Sequence, residues 1–136
     1  MKSVWFALIV CGWLIAQGGI AQSTLKPQVQ GAVSYLTGGV GEDEQAALKA
    51  AQNEYPLGLT FTQGSRSEWL SDVRVVITAA SSGAKVLDAT SAGPVMLVKL
   101  RNGAYRVSVS SGGRSYDREV KLGGGREQLT FNFAAP

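Results

Sequence analysis

Three stretches of this 136-residue sequence carry side chains whose type and spacing could do chemistry. Glu42, Asp43 and Glu44 are consecutive carboxylates, the hard oxygen ligands that divalent cations prefer. Adjacent helix positions point in different directions, so three acids in a row chelate poorly. Thr37-Gly38-Gly39-Val40-Gly41 is rich in glycine, as phosphate-cradling loops are. It lacks the lysine and the following Ser or Thr of such a loop, and reads instead as a turn or helix entry. Gly64-Ser65-Arg66-Ser67-Glu68 places a serine after a glycine but lacks the second glycine of a nucleophile elbow, and reads as a loop. The sequence contains no histidine. That removes the usual general base at neutral pH, the commonest metal ligand and any Ser-His-Asp arrangement. No residue qualifies as catalytic, cofactor-binding or metal-ligating, and a non-enzymatic chain without a cofactor is expected.

The single cysteine, Cys11, lies inside an apolar run that extends from Val4 to Ala16. Lys2 precedes the run, and Gly19-Ile20-Ala21 follows it as a small-x-small cleavage site. This is the layout of a secretory signal peptide over residues 1–21, with Gln22 the first mature residue. The run is shorter than the roughly 20 residues a spanning helix needs, so no membrane span is expected after cleavage. A lipoprotein signal wants a small residue before its cysteine, and Val10 stands there. Cys11 is then lost with the leader, which leaves neither disulfide nor thiolate chemistry. The expected compartment is the bacterial periplasm or the outside.

The formal charge is +3, and about +2 once Lys2 is removed, too little to argue for nucleic acid. It is unevenly placed. Glu42, Asp43, Glu44 and Glu54 make the front acidic, whereas Arg101, Arg106, Arg114, Arg118, Lys121 and Arg126 make the back basic. Solvated strand faces account for this pattern. A sharper reading is a basic sheet face that docks an anionic lipid headgroup or glycan.

The elements that would position any site follow from periodicity. Gln22 to Gln30 is polar, contains Pro27 and reads as a flexible lead-in. Val33 to Thr37 is a short strand. Glu42 opens a helix that ends near Asn53 to Tyr55; its acids complement the helix dipole, and Pro56 stops it. Ala47, Leu48, Ala51 and Tyr55 share one face. Leu57, Leu59 and Phe61 alternate with polar or small residues in a strand. Trp69 and Leu70 are expected to plug the join to the back segment, as core aromatics usually do; left exposed, Trp69 would be a sugar-stacking platform. Six strands then follow: Val73–Ala79, Lys85–Thr90, Val95–Leu100, Tyr105–Val109, Tyr116–Leu122 and Leu129–Phe133, with glycine-rich turns between several of them. Short strands at this spacing predict an antiparallel β-sandwich.

Within that back segment, Val73-Arg74-Val75-Val76-Ile77, Gly83 to Leu87, Gly93-Pro94 and Leu100-x-x-Gly103-x-Tyr105-x-Val107-x-Val109 resemble the carboxypeptidase regulatory-like domain. The resemblance implies a transthyretin-like or carbohydrate-binding-like sandwich with Ig-like layering. Arg101-Asn102 stands where the family usually has a proline pair before the glycine. The order of glycine turn, helix, strand and sandwich is also similar to small exported bacterial proteins that carry this module. The expected organisation is a signal peptide over 1–21, a lead-in plus helix-strand unit over 22–72 that packs on the sandwich, and the sandwich over 73–136.

The resemblance implies an accessory role more than an activity. Transthyretin-like hydrolases depend on histidine, which is absent here. The expected function is a non-catalytic periplasmic binding or protein-interaction module. The alternative is a carbohydrate-binding module of the envelope. The partner would be an envelope protein or a glycan, met on a sheet face or at an open strand edge.

Overall fold

Leu57, Leu59 and Phe61 are wholly buried, while the residues between them face the other way, so the period-two pattern of this stretch is realised in the backbone. The same holds along most of the chain in the computed structural model, which describes residues 25–135. The expected signal peptide, with Cys11 and the cleavage site before Gln22, lies outside the described residues. The described elements are β1 (Gln28–Gln30), β2 (Val33–Gly38), α1 (Glu42–Ala51) with a single 3-10 turn (Gln52–Glu54), β3 (Leu57–Gln63) and β4 (Glu68–Trp69). They continue with β5 (Arg74–Ala79), β6 (Lys85–Thr90), β7 (Val95–Lys99), β8 (Gly103–Ser111), β9 (Arg114–Leu122) and β10 (Glu127–Phe133). The protein is mainly β, with two sheets and a short helix.

The first sheet runs β1-β2-β7-β3-β10, with β4 paired to the end of β3; the second runs β6-β5-β8-β9. The sheets share one core in a sandwich-like arrangement. Leu57, Leu59, Phe61, Met96, Val98, Phe131 and Phe133 from the first sheet meet Val75, Ile77, Leu87, Val107, Val109, Val120 and Leu122 from the second. Fully burying one such side chain stabilises by roughly 1.5–3 kcal/mol, which makes this layer the main source of stability. Phe61 and Phe131 stack in it with ring centroids 6.3 Å apart.

Several expectations need correction. The front segment is not a unit that packs on a sandwich made by residues 73–136. Its strands β2 and β3 flank β7 inside the first sheet, so the two-layer arrangement exists only with residues before Val73. The reason is visible in β7, whose Met96 and Val98 face the shared core while Val95 and Leu97 face the helix. A strand covered on both faces has to be central, and it needs neighbours on both sides. The pairing is not wholly antiparallel either: β10 lies parallel to β3, in register from Glu127 opposite Leu57 to Phe133 opposite Gln63. The long intervening chain allows the crossover that parallel strands require. Part of the expected flexible lead-in is a strand, β1, antiparallel to β2.

The helix lands where its pattern placed it. Leu48 and Tyr55 are buried with Leu36 and Leu97, and Ala51 packs beside them, on the outer face of the first sheet. Over its N-terminus the glycine turn wraps the helix's own carboxylate. Glu44 Oε1 accepts from the N–H groups of Gly39 at 3.0 Å and Val40 at 3.2 Å. Gly41, at the N-cap with φ 93°, offers no side chain for that job. Two backbone donors of the glycine turn are thus taken up by the helix's own carboxylate.

Side chains bridge the two sheets along both open sides of the sandwich. At one, Gln30 from β1 bonds the backbone of Asp88 on β6. At the other, Tyr116 on β9 meets Phe133 edge-on at 5.0 Å, and the Arg118 guanidinium sits 5.3 Å from the Phe131 ring centre. Arg118 shares its row of β9 with Val120 and Leu122, and a charge so placed at a sheet margin discourages further pairing of that strand.

Candidate functional site

The outer face of the first sheet is divided. Helix α1 roofs β2 and β7, and leaves β3 and β10 without helix cover. On that half, Gly58, Thr60 and Thr62 of β3 stand opposite Gln128, Thr130 and Asn132 of β10. Four of them are tied into a small lattice by two cross-strand hydrogen bonds. Gln128 Nε2 donates to Thr60 Oγ1 at 3.0 Å, and Thr62 Oγ1 donates to Asn132 Oδ1 at 2.9 Å.

Where the roof ends, a groove of about 230 Å³ runs between the helix and this lattice. Gln45, Lys49 and Gln52 line it from the helix, at the i, i+4, i+7 spacing of one face. Val95 and Leu97 form an apolar floor, and Thr60, Arg126 and Gln128 form the far wall. The Arg126 Nε donates to the carbonyl of Gln52 at 3.1 Å, which anchors the guanidinium at the end of the helix. Gly58 makes this possible, because a Cβ there would run into the side chains of Arg126 and Gln128. A strand glycine marks a close approach, here of side chains across a sheet face.

Trp69 stands at the end of the groove and is 60% exposed. The expectation of a buried plug is thus corrected for Trp69 and kept for Leu70. Alternation decides it: neighbouring strand residues face opposite ways, and Leu70 is the one packed on the core. The Leu70 N–H donates to the carbonyl of Phe61 at 3.1 Å, and Trp69 pairs with Thr62. The indole is therefore held on the outer face by a short but bonded strand.

Of the three stretches considered first from the sequence, only Gly39 reaches this groove. Glu44 ties the glycine turn to the helix, while Glu42 and Asp43 are exposed at its start. Ser65 and Ser67 lie in the exposed turn after β3. The back-half cations disperse: Arg106 pairs with Glu119 at 3.1 Å, Arg118 covers Phe131, and only Arg126 reaches the groove. Lys49, Gln45, Gln52, Gln128 and Gly58 were not singled out by the sequence. The polar stripe Gln45, Lys49, Gln52 was the available signal.

The other charged cluster lies on the second sheet. Asp88 accepts from Arg74 at 2.9 Å and from Lys85 at 3.2 Å. These hydrogen bonds, Arg74 first, pull the Asp88 carboxyl down to about 2, and the same contact raises Arg74. All three donors and acceptors satisfy one another, which leaves this cluster a structural tie.

Among the described residues no helix is long and apolar enough to cross a membrane, and no three Cys, Asp or Glu side chains gather as a metal site. No protein-family model matches the chain, and no curated protein matches it.

Proposed function

We propose that this chain is a non-catalytic binding module of the bacterial envelope, exported by the leader at residues 1–21, and that its ligand is a saccharide received in the groove beside Trp69. One observation carries the reading: a large indole is held out in solvent on a bonded strand, next to a groove walled by amide and hydroxyl side chains. Stacking on the indole suits the apolar face of a pyranose, and Gln and Thr side chains suit its hydroxyls, since each can donate and accept.

The carboxypeptidase regulatory-like reading of the fold belongs to the same proposal. It is supported by the two packed sheets and by Gly103-x-Tyr105-x-Val107-x-Val109 as the start of β8, with Val107 and Val109 in the shared core. A glycan array with hits that Trp69→Ala removes is the expected outcome. An array without hits overturns the saccharide. An intact mass of the exported protein that begins at Gln22 is the expected sign of export, and a mass that retains Met1 speaks against it.

A protein partner is the second reading. It is favoured by β10, which pairs with β3 on one side only and leaves a seven-residue edge. Capture of a specific envelope protein, with no glycan hits, would favour it over the first.

A further inference from the structure

The groove beside Trp69 has a sign. Lys49 and Arg126 both line it, and no Asp or Glu does. Among the described residues the ion pairs are Arg74 with Asp88, Lys85 with Asp88, and Arg106 with Glu119, so neither groove cation has a carboxylate partner. Arg126 spends its Nε on the Gln52 carbonyl, which fixes the guanidinium while its terminal nitrogens keep donors. Such a fork matches a carboxylate in two-point geometry.

We infer that the groove is selective for an acidic saccharide, one whose sugar stacks on Trp69 and whose carboxylate is held by Arg126 and Lys49. This rests on the saccharide reading above and adds the ligand's charge. The alternative anionic polymer, single-stranded nucleic acid, fits less well. It asks for a track of cations along a phosphate backbone and several stacking rings, whereas the groove offers two cations and one aromatic. The acidic residues of the helix start reinforce selectivity along a different line. Glu42 and Asp43 are exposed at the far end of α1, so an extended polyanion that continued past Gln45 would meet like charge.

The test is calorimetric titration of the full chain with tetragalacturonate, with cellotetraose as the neutral ligand of equal length, and with a short single-stranded oligonucleotide. The acidic tetramer is expected to bind at least about tenfold more tightly than the neutral one, and to weaken as salt is raised. Arg126→Gln and Lys49→Gln are each expected to reduce binding of the acidic tetramer by a clearly larger factor than binding of the neutral one. Trp69→Ala is expected to reduce both. Lys121→Gln, on the second sheet, controls for net charge, and the unfolding midpoint of each variant reports that it is folded. Equal binding of acidic and neutral tetramers overturns the inference while the saccharide reading stands. Binding of neither overturns both. Tighter binding of the oligonucleotide, or an equal loss in Lys121→Gln, also overturns the inference.

Discussion

The side-chain amide of Gln30 bonds both backbone groups of Asp88: its Nε2 donates to the Asp88 carbonyl at 2.7 Å, and its Oε1 accepts from the Asp88 N–H at 3.0 Å. A single side chain thus behaves like one more residue of strand. It satisfies the edge of β6 and ties the first sheet to the second. An edge strand left bare is a template for pairing with another chain, so the same contact that stabilises the fold also blunts an edge.

Replacing Gln30 by Ala removes both bonds. At about 0.5–1.5 kcal/mol each, the expected loss is about 1–3 kcal/mol in a denaturant titration. Gln30→Glu is the sharper variant. Its carboxylate can accept from the N–H but cannot donate to the carbonyl, so it is expected to be no better than Ala. Hydrogen exchange at the Asp88 amide should accelerate in both. An unchanged exchange rate would show that this contact does not hold the edge.

Asp88 has a second role that pH exposes. Hydrogen bonds from Arg74 and Lys85 hold its carboxyl at about 2, below the ordinary 3.8. A group whose folded pKa is depressed adds stability above its unfolded value and loses it as pH falls toward the folded one. The contribution is therefore present above about pH 4 and disappears between about pH 4 and pH 2. Asp88→Asn should flatten that part of the stability profile while the rest of the acid transition remains. The carboxylate is partly open to solvent and screened, so the effect is expected to shrink in high salt.

Glu44 shows why a glycine-rich loop need not bind phosphate. Its carboxylate takes the N–H groups of Gly39 and Val40, and Gly38 leaves room for it, since a Cβ there would meet the same carboxylate oxygen. Glu44→Ala is expected to cost about 1 kcal/mol, the scale of a hydrogen bond in a partly exposed turn. Glu44→Gln should recover part of it, because the amide oxygen still accepts while the charge at the helix start is gone. Thermal unfolding of the two variants checks the order.

Periodicity carried the strands and the helix because burial has a period. Leu57, Leu59 and Phe61 could only be one face of a strand, and Ala47, Leu48, Ala51 and Tyr55 only one face of a helix. Partnership between segments has no such local mark. Nothing near Leu57 says that its neighbour is Glu127 and that the two strands run parallel. β1 was hidden because its alternation is polar, and besides its pairing with β2 it is tied to the second sheet by the Gln30 amide. Trp69 was misplaced because size was weighed and alternation was not: with Leu70 inward, Trp69 had to face out. The groove was the least visible feature of all. Its walls come from a helix, a strand near the middle of the sheet and the last strand, and it exists only once Gly58 brings Arg126 and Gln128 down onto the sheet.

That dependence on Gly58 can be measured. A Cβ at this position would overlap the Arg126 guanidinium and the Gln128 amide oxygen, both of them ends of flexible side chains. In the wild-type background Gly58→Ala has to push them aside, which breaks the bonds of Arg126 to Gln52 and of Gln128 to Thr60. Because the clashing atoms are ends of flexible side chains, the expected cost is that of the two exposed hydrogen bonds lost, about 1 kcal/mol or a little more. In an Arg126→Ala, Gln128→Ala background the space is empty, and alanine is the better strand residue. The same substitution should then be neutral or stabilising. The coupling between these positions, read from the cycle of single and combined variants, is expected to exceed about 1 kcal/mol. A coupling near zero would mean that the two side chains do not lie over Gly58, and the far wall of the groove would be lost with them.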